Sequence, residues 1–91
     1  VDRIKKKQYL VLVMDIKLYK DSFYEALSID NSKNIESLKY QDIDEWDSIG
    51  HMTLISTIEE KLGITFETDD IVEFSSYKKG IEILKKYKVT F

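Results

Sequence analysis

A chain of 91 residues with 43% hydrophobic content supports one small domain with a modest core. The lack of cysteine excludes disulfides, thiolate metal sites and a cysteine nucleophile, and a single histidine builds no histidine-based zinc site. The net charge of −3 hides an acidic middle, since residues 36–73 carry eleven acids against two bases. Such a field repels nucleic acid and steers basic partners inward.

Residues 1–13 place Lys5-Lys6-Lys7 before a short apolar run, Tyr9 to Val13. That run falls short of the roughly 18 apolar residues of a membrane span, and no small-residue cleavage site follows it. Composition breaks at Met14. Residues 1–13 therefore read as an upstream extension or expression remnant, with an amphipathic helical extension as the rival, and residues 14–91 as a single domain.

Asp15 is placed to cap a first helix with Ile16, Tyr19, Phe23, Ala26 and Leu27 on its inward stripe. Ser28 to Trp46 is a long polar connection in which Ile29, Ile35, Leu38 and Ile43 are expected to pin the backbone, with Asn31 and Asn34 in turns. Trp46 is expected to anchor that loop by packing. A second helix starts at Asp47 or Ser48, buries Ile49, Met52, Ile55, Ile58 and Leu62, and closes at Gly63. Thr68 or Asp69 opens a short helical turn carrying Ile71, Val72 and Phe74.

Ser75 or Ser76 caps a last helix that turns Tyr77, Ile81, Leu84 and Tyr87 inward, with Lys78, Lys79, Lys85 and Lys86 solvated on the other side. Gly80 costs that helix about 1 kcal/mol relative to alanine, which implies either close helix contact or room in the interior. The expected core is Phe23, Leu27, Met52, Ile55, Ile58, Leu62, Ile71, Ile81 and Leu84. The fold class is all-α, a small four-helix bundle of three main helices and one short one, with a long loop between helices I and II.

Chemistry concentrates at Asp47-Ser48-Ile49. A serine at a helix start is exposed and sits in the positive field of the first turn, which stabilises an anion attached to it. Asp47-Ser48-His51 does not make a hydrolase triad. Helix geometry leaves the carboxylate a poor orienter of the imidazole, and no oxyanion hole is evident. No catalytic residue, enzyme activity or metal site is expected. His51 reads as a surface residue at a partner interface. A DNA-binding reading fails because the helix that would need basic side chains ends in Glu59-Glu60.

From Trp46 to Tyr87 the chain resembles the acyl carrier proteins, as a specialised free-standing member. Asp47-Ser48-Ile49 stands for their Asp-Ser-Leu motif. Ile58-Glu59-Glu60-Lys61-Leu62, Gly63-Ile64-Thr65-Phe66, Glu67-Thr68-Asp69-Asp70-Ile71 and a helix from Ser75 follow in the family's order. The resemblance implies that Ser48 carries 4′-phosphopantetheine, whose thiol holds acyl or aminoacyl groups as thioesters. Asp47 and Ile49 would support the motif. Asp44, Glu45, His51, Glu59 and Glu60 would meet partners.

Those partners would be a phosphopantetheinyl transferase, an acyl- or aminoacyl-loading ligase, and downstream synthase or transferase enzymes. The implied protein is a cytoplasmic monomer that binds no nucleic acid and spans no membrane. The alternative is an unmodified helical protein–protein interaction domain, with Ser48 a mere cap. Ile43-Asp44-Glu45-Trp46 replaces the Leu-Gly that usually precedes the motif, and Gly50, His51 and Thr53 stand where acids are frequent in the family, which points to a dedicated pathway rather than general fatty-acid synthesis.

Overall fold

The computed structural model describes residues 15–87, so the expectations for residues 1–13 lie outside the described residues. Residues 15–26 are helical (α1). They are followed by α2 at Ser48–Leu62, α3 at Thr68–Glu73, α4 at Tyr77–Leu84 and a 3-10 turn at Lys85–Tyr87. Among the described residues no strand forms, and the three longer helices, the short one and the long α1–α2 connection match the expected bundle. None of the described helices is long and apolar enough to cross a membrane.

Local chemistry sets the helix ends. Asp47 keeps an extended backbone while its Oδ1 accepts the Gly50 N–H at 2.8 Å, satisfying one of the first-turn amides left without a helical partner. At the far end Gly63 adopts the left-handed conformation (φ 65°) and donates to the Glu59 carbonyl. Ser76 caps α4 by accepting the Lys79 N–H at 2.9 Å. Asp15, expected as a cap, is itself helical.

The core differs from the expected set in one systematic way. Phe23, Leu27, Ile55, Ile58 and Leu84 are buried, and Leu62, Ile71 and Ile81 pack partly buried against them. Met52, however, is 50% exposed and Ile49 78% exposed, while Leu54 is fully buried. Helix α2 is thus rotated, and its inward line runs through His51, Leu54, Ile55, Ile58 and Leu62. Apolar residues occupy two overlapping faces of this helix. The face that goes inward is the one continuous with Trp46, which is completely buried just before the helix starts.

On α1, Tyr19, Phe23 and Leu27 face inward as expected, but Ile16 lies at the exposed edge. Tyr19, Ile35, Trp46, Phe66, Phe74, Tyr77 and Ile83 complete the core. Phe23 makes edge contacts with Tyr19 (5.1 Å, 73°) and Trp46 (5.5 Å, 83°), the arrangement that ring quadrupoles favour.

The long connection is anchored, not loose. Ile35 is buried, and Ile29, Leu38 and Ile43 are half-buried, so each expected pin is in place. Its backbone also bonds the α3–α4 link, with Tyr40 N–H on the Ser75 carbonyl and Tyr77 N–H on the Leu38 carbonyl, both at 2.9 Å. A methyl group at Gly80 would overlap the Tyr19 hydroxyl and the Phe74 ring. The glycine's cost in helix propensity is therefore the condition for α4 lying close against α1.

Asp70 ties α3 to the C-terminal turn. It is buried, and its carboxylate accepts from Lys86 Nζ at 2.6 Å and from the Tyr87 hydroxyl, which itself accepts the Glu67 N–H. Lys86 is thus an ion-pair partner and not merely a solvated lysine. Its ammonium and then the Tyr87 hydroxyl hold the Asp70 carboxyl below the usual carboxylate range. A carboxyl so depressed adds stability that is complete above its unfolded pKa, about 3.9, and is lost as pH falls through the folded value.

Wild type is therefore expected to exceed Asp70→Asn in urea midpoint at neutral pH, and the gap should close below about pH 4. Urea midpoints of both proteins across that range check it. A gap unchanged into strong acid would remove the carboxylate from the account.

Candidate functional site

Ser48 is the first residue of α2 and is exposed. Glycine two positions on is a steric requirement, because a Cβ at Gly50 would overlap the Glu45 carbonyl. That close approach lets the acidic turn Asp44-Glu45 double back beside the helix start. Asp47 uses Oδ1 as the cap, and among the described residues Oδ2 makes no bond. Asp47, Ser48 and Ile49 are thus contiguous and open to solvent, with Ile49 outside and not in the buried stripe expected for it.

An open groove of about 370 Å³ runs beside Ser48, lined by Tyr40, His51, Met52, Ile71, Val72 and Phe74 among others. Val72 is 78% exposed, so Ile49, Met52 and Val72 leave apolar side chains in water close to the serine. The outer face of α2, through Ile49, Thr53, Ser56 and Thr57 to Glu60, carries hydroxyls and no charge until its end. Thr53 and Thr57 turn their hydroxyls back onto the Ile49 and Thr53 carbonyls.

The acidic residues expected to meet partners therefore do not form one border. Asp44 and Glu45 lie exposed beside Ser48. Glu60 is exposed about 18 Å further along the axis, at 1.5 Å per residue. Glu59 is half-buried, and its Oε2 accepts the Phe66 N–H at 2.8 Å, which ties the α2–α3 link.

His51 is not the surface residue expected. The Trp46 Nε1–H donates to its Nδ1 at 3.0 Å, which places the ring proton on Nε2, and Nε2 donates to the Ile71 carbonyl at 2.8 Å. Half-buried and nearly parallel to the Trp46 ring (6.2 Å, 16°), His51 joins the loop, α2 and α3. With Nδ1 already accepting from tryptophan, it offers no base to Ser48.

Tyr40 escaped the sequence reading. Its hydroxyl lies 3.3 Å from Ser48 Oγ, and its ring meets Trp46 and His51 edge-on. Trp46 and Tyr40 are the two aromatic residues of the long connection, and that was the available signal.

Comparison with protein-family models, with curated proteins and with solved structures returns no match.

Proposed function

We propose that this chain is a carrier domain whose Ser48 accepts 4′-phosphopantetheine and then presents acyl or aminoacyl groups to other enzymes. The observation that carries this reading is an exposed serine at the first position of a capped helix, with a largely apolar groove beginning beside it. The residues fit such an arm. Among the described residues no side chain walls off the solvent side of Ser48, and Asp47 satisfies a first-turn amide without covering the hydroxyl. Once attached, the group supplies a thiol, which this cysteine-free chain does not otherwise have.

In this reading Ser48 Oγ forms the new bond to the β-phosphorus of coenzyme A on a separate phosphopantetheinyl transferase. Its proton passes to that enzyme's base, and the adenosine bisphosphate portion leaves. Asp47 Oδ2 stands free to meet the transferase's metal. Loading ligases and downstream synthases would approach the same end of α2, where Ile49, Met52 and Val72 supply apolar contact and Asp44 and Glu45 supply charge.

Intact mass after incubation with coenzyme A, magnesium and a broad-specificity transferase tests the assignment. Wild type is expected to gain one arm, and Ser48→Ala none. An arm on Ser48→Ala moves the site elsewhere. No arm on wild type returns the chain to the second reading, an unmodified interaction domain, which the exposed Ile49, Met52 and Val72 also favour.

A further inference from the structure

We propose that Tyr40 is a positioning residue, whose hydroxyl donates to a non-bridging oxygen of the phosphodiester on Ser48 and so sets the direction in which the arm leaves. This inference rests on the carrier reading of Ser48. The 3.3 Å between the two hydroxyl oxygens is long beside the usual O–H···O separation of about 2.7–2.8 Å. Among the described residues that hydroxyl bonds no other polar atom. It is therefore a donor held at the serine with its bonding capacity weakly used.

A phosphorus on Ser48 Oγ would carry its anionic oxygens two bonds beyond Oγ, where rotation about the Cβ–Oγ and Oγ–P bonds brings one within reach of that hydroxyl. A bond from a hydroxyl to such an oxygen is shorter and roughly twice as strong as a neutral one. Among the described residues, no lysine or arginine lines either of the two grooves described beside Ser48, so none of them competes there for that oxygen.

The donor is also preorganised. Tyr40 N–H is fixed on the Ser75 carbonyl at 2.9 Å. Its ring is held edge-on by Trp46 (6.2 Å, 87°) and His51 (5.5 Å, 71°). Trp46 is fully buried and His51 is bonded at both ring nitrogens, so neither wall is free to turn. Little rotamer freedom remains to be lost when the bond forms. Tyr40 lines the groove with Met52, Ile71 and Val72 and not the outer face with Thr53 and Thr57, so the bond draws the phosphate toward the groove.

Phosphorus NMR of fully loaded wild type, Tyr40→Phe and Tyr24→Phe tests this, with loading judged by intact mass and folding by circular dichroism. Tyr40→Phe keeps the ring and removes the hydroxyl. Tyr24→Phe removes one that serves the Lys33 carbonyl. The wild-type and Tyr24→Phe resonances are expected to coincide. The Tyr40→Phe resonance should move to the position of the urea-unfolded loaded protein. Coincidence of Tyr40→Phe with folded wild type overturns the inference and leaves the carrier reading standing, whereas absence of the arm from wild type overturns both.

Discussion

Trp46→Ala is expected to lose about 3–5 kcal/mol of stability, the cost of replacing a fully buried large aromatic with a methyl group. Domains have only about 5–15 kcal/mol in total, so the variant should be marginally folded. Two contributions add at this position. The indole packs edge-on against Phe23 and Tyr40, and its N–H satisfies His51 Nδ1.

Trp46→Phe separates them, since it keeps most of the ring packing and strands the imidazole acceptor, which costs about 1–3 kcal/mol. Urea unfolding followed by circular dichroism reads both variants, because the chain's single tryptophan is the residue being changed. A loss under about 1 kcal/mol in Trp46→Ala would mean that the loop holds its place by backbone bonds alone.

Ile58→Ala and Met52→Ala form the second test, as a pair. Ile58 is fully buried and should cost about 2–5 kcal/mol when truncated. Met52 is half exposed, and its truncation should change the stability little, by about 0.5 kcal/mol or less. Equal losses at the two positions would put α2 in the orientation that its sequence periodicity suggests. The contrast in size makes the pair decisive where either variant alone would not be.

That pair also marks where the sequence was legible. Three helix ends, though not the one expected at Asp15, could be read because they depend on nearest neighbours: Asp47, Gly63 and Ser76 act on amides and carbonyls within a turn of themselves. The anchors of the long connection could be read too, since Ile35, Leu38 and Ile43 were isolated apolar residues in polar surroundings. The rotation of α2 could not.

Ile49 and Met52 fit a helical period as well as Leu54 does, and only the partners outside the helix choose between them. Those partners are Trp46 and the Ile71 carbonyl, which fix His51 inward. At the site, Ser48 and Asp47 were visible from their motif and spacing. Tyr40 was not, because its nearness to Ser48 depends on a turn in which Gln41 takes a positive φ (70°) and donates to the Trp46 carbonyl. The tie made by Glu59 was hidden for a similar reason, as nothing local shows that its carboxylate reaches the Phe66 amide.

The bond from Tyr40 N–H to the Ser75 carbonyl has a consequence for the order in which the site matures during synthesis. Ser48 and Tyr40 leave the ribosome close together, and α2 can form soon after from its own local bonds. The atom that holds Tyr40 in place belongs to a segment made much later, and closing that long loop carries its entropy cost before any contact is gained. A fragment ending before Ser75 would therefore lack the carbonyl that fixes Tyr40 beside Ser48. The Ser48 end of the bundle thus takes its finished shape only once the segment around Ser75 has packed against the long connection.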